Sequence, residues 1–455
     1  MQQTIDQKDW YLSAFEGFEK GLNGKSASPI HAIRRAALAR FAELGFPTVR
    51  DETWRATNVA AIAKVAFKPA SGHDLRGVTA GQLEPFVFNG LTCSRLVFVN
   101  GQYSPDLSSL RTLPKGVRAG SLAEALEAEP GAVEPHLARH ARYQDHAFAA
   151  LNTAFIRDGA FIHLPKGAVV EDPIHLMFVS TGHGEATVSH PRNLIVAGAD
   201  SRATVVESYI GLDAGVYFTN GVTEIVVGAR AAVDHCKVQR EGREAFHVAT
   251  LHARLDRGSR LSTHSISLGG ALVRNDVTAV LDGEDAEAAL NGFYLVDGHQ
   301  HVDNHTWIEH VKPYSVSREL YQGILDGASH GVFRGRIYVH PMAHQAGRSQ
   351  LLVDAIQSNP NLLLSDRAEI STRPQLEIYA DDVRCTHGAT VGQLDEGAIF
   401  YLRARGIGLE AARQILVQAF AGEALGLVSV EPVRTHLERL VSEKLEAGRQ
   451  AREAR

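Results

Sequence analysis

Hydrophobic and polar positions follow two different periods along this chain. Up to about residue 70 the period is helical. In the run from Ile30 to Phe41, Ile33, Ala37, Leu38 and Phe41 fall on one face. Ser28-Pro29 supplies a cap residue and a first-turn proline, and Gly45 with Pro47 supplies the stop. A mixed segment continues to about residue 145. It contains the strand-like Arg95–Val99 before an Asn100-Gly101 turn, and a helix-like stretch from Ser121 to Glu129. From 146 to 392 the pattern changes to short β-branched runs separated by Gly, Asp and Ala, as in Asn193–Val196, Glu224–Val227 and Ala279–Leu281. From Leu394 helical periodicity returns. Asp395 is placed to cap a helix carrying Ala398, Ile399, Leu402 and Ala404 that stops at Gly406. A second helix spans Leu409 to Glu423 with Ile415, Leu416, Ala419 and Phe420 as its apolar positions. A third covers Val433 to Ala447, ahead of a frayed tail from Gly448 to Arg455.

Gly198, Gly228 and Gly258 are spaced by 30 residues, and each ends a strand-like or mixed run. Strand-to-turn junctions recur at Leu281-Asp282-Gly283 and Leu325-Asp326-Gly327. A repeat of this length, with no helical pattern between the strands, predicts stacked coils, because one coil cannot bury its inner face alone. A sandwich of roughly 7–9 strands is the alternative. The strand region is too long for one ordinary sandwich, which favours the solenoid. The expected organisation is an N-terminal helical and mixed domain (1–145), a mainly β solenoid core (146–392) and a C-terminal helical domain (393–455).

The 455 residues are 44% hydrophobic and 22% charged, enough for several cores, and the net charge of −6 argues against nucleic acid as the main partner. The first residues, Met1 to Asp9, lack an apolar signal core, and no apolar run approaches the ~18–20 residues of a membrane span. These features predict a cytoplasmic protein that does not enter membranes. Three cysteines, Cys93, Cys236 and Cys385, form no CxxC pair and are too few for a disulfide framework.

Two polar clusters could carry chemistry. In Gly298–Thr306, His299, His301, Asp303 and His305 would share one face of a strand and could ligate a metal such as iron. Equally, they could form a hydrogen-bonded ladder between coils, and the residues alone favour the ladder. In Asp381–Thr390, Cys385 and His387 lie two apart and point to the same side of a strand. A thiolate beside an imidazole suits iron or an iron–sulfur cluster, although two ligands leave a four-coordinate site incomplete. The plain alternative is a packed cysteine beside a core histidine. Cys93 and Cys236 read as packing residues, with His235 and Cys236 facing opposite ways. Gly24-Lys25-Ser26 imitates the end of a phosphate loop, but Glu19 stands where its first glycine belongs.

The run Pro374–Gly392, continued by Phe400–Ile407, resembles the C-terminal signature of the SufB/SufD family of iron–sulfur cluster assembly proteins. Gly298–Thr306 resembles that family's histidine-rich strand, Asn361–Leu364 its adjoining coil, and Glu52-Thr53-Trp54-Arg55-Ala56-Thr57 its E-x-W-x-x-T element. Cys385-x-His387-Gly388-Ala389-Thr390 is similar to the SufD branch, since Gly388 stands where SufB proteins carry glutamate. The tail after Gly426 is longer and more charged than that pattern. The resemblance implies a right-handed parallel β-helix flanked by helical regions. It implies a non-catalytic scaffold that pairs with a SufB-like paralogue near Cys385 and His387 and docks a SufC-like ABC ATPase on helices of about 394–424. It further implies a transient iron–sulfur cluster or iron as cargo, with His387 as ligand and Cys385 beside it, and no tightly bound cofactor; a flavin is left open. Two rivals stand beside it. One is a self-paired homodimer that handles iron through His301 and His305. The other is a β-helix enzyme acting on polysaccharides, for which Asp381 and Asp382 alternate faces and supply no paired acids.

Overall fold

The computed structural model describes residues 7–22, 29–70, 77–182, 185–344 and 350–453. The cap residue Ser28 and the Gly24-Lys25-Ser26 imitation lie outside these. The helices Gln7–Lys20 and Pro29–Leu44 form as the apolar periodicity predicts. The second begins on its proline and ends where Gly45, at φ +63°, returns its N–H to the Phe41 carbonyl at 2.8 Å. Together with the helix Ala147–Ala154 they bury Tyr11, Phe15, Phe41 and Phe148 against Phe218, Phe246 and Leu272 of the strand region.

The strand region is a parallel solenoid of about eight turns, in which alternate strands join one of two sheets. In one sheet Val222 pairs with Arg192, Phe246 with Phe218, Leu272 with Phe246 and His301 with Leu272. In the other, Ala232 pairs with Arg202, Arg260 with Ala232 and Glu287 with Arg260. Strand side chains alternate, so every second residue points inward, and Leu176, Val205, Ile225, Ala253, Ala279 and Ile308 merge into one apolar column. The mixed N-terminal segment closes one end of this column. Ser94–Val99 pairs in parallel with Ile174–Ser180, and turns at Asn100 and Gly101, both with positive φ, into Gln102–Tyr103. Arg118–Ser121 runs antiparallel to Ala160–Leu164.

The mark that repeats once per coil differs from the glycine spacing. Asp200, Arg230, Gly258, Asp285 and Tyr314 all have φ between 58° and 65°. The N–H of Asp200 donates to the Ala229 carbonyl, that of Arg230 to Arg257, and that of Gly258 to Glu284. Each left-handed residue thus bonds to the carbonyl just before the next one. Gly258 belongs to this column, beside Arg230, while Gly198 and Gly228 lie two residues ahead of it. Those two are glycines for a different reason: a Cβ would stand 2.7 Å from the Leu164 oxygen at Gly198, and 2.8 Å from the Ala197 oxygen at Gly228. The equal spacing of the three glycines therefore joins two different positions of the coil.

The C-terminal helices are Glu396–Arg403, Leu409–Leu425 and Glu431–Glu453. Asp395 caps the first by accepting from the Gly397 N–H at 2.8 Å. The second helix corrects the expected face. Ala412, Val417, Ala421, Ala424 and Leu425 are its buried residues, while Ile415 and Ala419 are exposed and Leu416 and Phe420 are half-buried. The tertiary partner decides this: Val417 and Ala421 pack with Val433, Leu437 and Val441 of the last helix and with Ile266, Phe293 and Ile324 of the solenoid. Two polar ties fix the helices there. Gln322 accepts from the Ala424 N–H at 2.9 Å, and Lys444 donates to the Leu268 and Leu295 carbonyls at 2.9 and 2.7 Å. The last helix continues to Glu453, through residues expected to fray.

Candidate functional site

His299 is exposed in the turn before the strand His301–His310, so it does not join the row expected of it. The turn forms because the Gln300 N–H returns to the Asp297 carbonyl at 3.1 Å. His301, Asp303 and His305 do share a face, and Asp303 is its centre. It lies 2.5 Å from Arg274 Nη1, 2.5 Å from Thr57 Oγ1 and 3.1 Å from His305 Nε2. Burial opposes ionisation of Asp303, but Arg274, His305 and Thr57 outweigh it and hold the carboxyl below its usual range. Both ring nitrogens of His301 are engaged, Nε2 with Thr57 Oγ1 at 2.9 Å and Nδ1 with His330 at 3.0 Å. Burial pushes this imidazole down to about 4.

This face is where the Glu52–Thr57 segment docks. Glu52 pairs with Arg334 at 2.7 Å, the Trp54 ring carries the Arg274 guanidinium 4.3 Å from its centre, and the Thr53 carbonyl accepts from Arg274 at 3.0 Å. Two motifs far apart in sequence are thus one contact. Among the described residues, no group of three or more His, Cys, Asp or Glu side chains is arranged to hold a metal ion.

The second cluster lies at the open end of the solenoid. Val383–Gly392 pairs only with Val353–Leu363, and Glu369–Ile378 only with His330–Val339, so each sheet ends on an unpaired edge among the described residues. Cys385 stands over Ala355 and His387 over Gln357. Cys385 packs against the interior column, so both side chains belong to the inward face of a terminal coil that no described strand covers. Burial and the nearby Asp354 push the Cys385 thiol up to about 11, while His387 is exposed. Outward on the same strand, Arg384 Nε donates to Asp354 at 3.0 Å, and Asp354 is also bound by Arg318 at 2.7 Å. That shared acid pins the last strand to the two below it. A Cβ at Gly388 would meet nothing within 4 Å, so packing does not require the glycine beside His387.

The other cysteines sit elsewhere. Cys236 is buried under the C-terminal helices, and burial raises its thiol to about 12. His235 faces the opposite way, into the interior, 2.9 Å from Thr263. Cys93 is half-buried just before the strand Ser94–Val99. All three thiols are free.

Sequence reasoning named Thr57 only as part of the Glu52–Thr57 element, without its contact, and did not find Arg274, Glu319 or Gln357. Thr57 and Arg274 were findable only as docking partners of the histidine strand. Glu319 and Gln357 lie directly below His387 in the register, but the long connection between His330–Val339 and Val353–Leu363 breaks the repeat that would have aligned them.

A parallel solenoid with helices strapped along its side and, among the described residues, an open edge at its terminal coil defines a β-helix protein. The model of the SufBD core domain of SUF-system FeS cluster assembly matches residues 178–420, and that of the SufBD N-terminal region matches residues 5–176. The chain belongs to the SufB/SufD family of iron–sulfur cluster assembly proteins. It is 31% identical to an iron–sulfur cluster assembly SufBD family protein of Synechocystis, over 92% of each chain. It is 30% identical to the iron–sulfur cluster assembly protein SufD of Escherichia coli, over 90% of this chain and 92% of that one. To the chloroplastic protein ABCI7 of Arabidopsis thaliana it is 29% identical, over 91% and 86%. Among the described residues, no helix is long and apolar enough to cross a membrane.

Proposed function

We propose that this chain is a SufD-type, non-catalytic scaffold subunit that works in the cytoplasm. It pairs with a SufB-like paralogue through its terminal coil and docks a SufC-like ABC ATPase on its C-terminal helices. His387, with Cys385 beside it, supplies ligands to an iron–sulfur cluster forming at the subunit boundary. The iron and sulfide are cargo rather than a resident cofactor.

The observation that carries this reading is the edge of the strand Val383–Gly392 that stays unpaired among the described residues, with Cys385 and His387 on the inward face of that strand. An open edge of ten residues offers a row of backbone donors and acceptors to a partner strand. Two soft ligands cannot close a tetrahedral iron site, so the remaining ligands come from the partner. ATPase docking draws support from exposed apolar residues on the C-terminal helices: Phe400 is 74% exposed, and Leu409 and Ile415 lie nearby in sequence. ATP-driven closure of two ATPase copies would then move this end of the solenoid as a rigid body and open the boundary.

The test is cluster content of the anaerobically purified complex, co-expressed with the SufB-like and SufC-like subunits. His387→Ala is expected to lose the cluster while the complex still assembles, and Cys385→Ala to lower its yield. Normal clusters in both variants would leave this chain as a mechanical partner of the ATPase. If the chain instead forms a homodimer in the absence of the paralogue, and His301→Ala with His305→Ala abolishes its iron binding, the self-paired scaffold replaces this reading.

A further inference from the structure

His301 and His330 are neighbours in register on the outer face of one sheet, and Glu369 follows on the next strand. The centres of the two imidazole rings lie 4.8 Å apart, and their Nδ1 atoms are 3.0 Å apart. Both histidines are half-buried and Glu369 is exposed, so solvent reaches the row. Cys385 and His387 lie on the other sheet and face inward, so this row is separate from them.

The contacts around His301 fix its tautomer. Asp303 is paired with Arg274 at 2.5 Å, and a carboxylate only accepts hydrogen bonds. Thr57 Oγ1, 2.5 Å from Asp303 Oδ2, therefore directs its one hydrogen there. His301 Nε2, 2.9 Å from the same hydroxyl oxygen, must then be the donor. In the neutral ring that is the only N–H, so Nδ1 carries a lone pair, and its neighbour on that side is His330 Nδ1.

A hydrogen-bonded partner behind one ring nitrogen is how proteins orient a metal-binding histidine. The spacing suits the same role, since two metal–nitrogen bonds of about 2.1 Å meeting at about 90° span about 3.0 Å. Among the described residues no third ligand already stands in place. Glu369 is one strand spacing beyond His330, about 4.8 Å, and an exposed glutamate side chain can turn over that distance. We propose that His301 Nδ1, His330 Nδ1 and the Glu369 carboxylate form a surface site for one divalent first-row transition ion, with water at its remaining positions. Two imidazoles and a carboxylate are a donor set for ions such as Fe(II), Co(II) and Ni(II). The bound ion would tie three successive coils together and, through Thr57, the N-terminal segment to them. The inference does not rest on the reading of His387.

The test is equilibrium dialysis of the EDTA-treated full-length chain against Co(II), with the ion content read by mass spectrometry. Wild type is expected to hold one ion per chain more than His330→Ala. Glu369→Gln should bind at least tenfold more weakly, and Thr57→Val, which releases the tautomer, about tenfold more weakly. His305→Ala and His387→Ala should bind as wild type does. Equal Co(II) content in wild type and His330→Ala overturns the proposal and leaves a hydrogen bond between the two rings. Unchanged affinity in Glu369→Gln overturns the three-ligand site, and this exposed change carries the test should His330→Ala not fold. Loss of the ion in His305→Ala would place it at Asp303 instead and overturn the proposal as well.

Discussion

Arg274 sits over the Trp54 ring: the guanidinium carbon lies 4.3 Å from the ring centre, with guanidinium nitrogens 2.5 Å from Asp303 and 2.6 Å from Asp276. The N-terminal segment is thereby fastened to the solenoid through a buried arginine with an acid on either side. Removing Asp303 leaves that cation half-neutralised in a dry site. Asp303→Ala is expected to cost about 3 kcal/mol, and Thr57→Val about 1 kcal/mol. Urea unfolding measures the cost, and faster amide exchange over residues 52–57 would locate it at this contact.

Glu319 gives a pH signature. Burial, only partly offset by Thr306 and Gln357, raises its carboxyl from 4.5 to about 7. A group with a raised folded value favours folding while protonated. Its contribution is whole below pH 4.5 and is lost as the pH climbs to about 7, a change of roughly 3 kcal/mol. Glu319→Gln should flatten the stability profile across that window in denaturant titrations. A wild-type profile that is already flat there would contradict this.

The thiols should react in a fixed order. Burial holds Cys385 at about 11 and Cys236 at about 12, so neither is a ready thiolate at neutral pH. Iodoacetamide at pH 8 is expected to label Cys385 slowly, and Cys236 only after denaturation. A partner seated on the last strand should suppress the Cys385 reaction further. Rapid labelling of Cys236 in the native chain would mean that the C-terminal helices open.

Glycines separate packing from freedom. Gly228→Ala places a methyl 2.8 Å from the Ala197 oxygen and should cost about 1–3 kcal/mol. Gly388→Ala meets nothing within 4 Å and should stay within about 0.5 kcal/mol of wild type. Thermal melts of the two variants check both values.

Local signals predicted elements well where the chain obeys local rules. Asn100-Gly101 marked its hairpin, Gly45 and Gly406 their helix stops, and Asp395 its cap. The spacing of Cys385 and His387 put both on one side of a strand, and the packing of Cys385 against the interior column shows which side that is. Legibility failed where a distant partner decides the outcome. Ile415 looked like a core residue of its helix, but the solenoid and the last helix take up Val417 and Ala421 instead. His299 read as part of a strand because period-two spacing cannot see that Asp297–Gln300 closes a turn. The three glycines looked like one repeat because sequence spacing cannot distinguish a left-handed turn position from a close backbone approach. The Glu319–Gln357 pair left no local trace, since neighbouring coils bring it together.

A solenoid is held rung by rung, each strand secured by its two neighbours. Here one end is stapled by Arg118–Ser121 and the hairpin at Asn100, and the flank is strapped by Lys444 and Gln322. Among the described residues, the final rung has a neighbour on one side only. Unzipping of this molecule therefore has a direction, starting at Val383–Gly392 and travelling back toward the stapled end. Cys385 and His387 ride on the rung that opens first and closes last, so whatever seals that rung also decides when the two side chains come to rest.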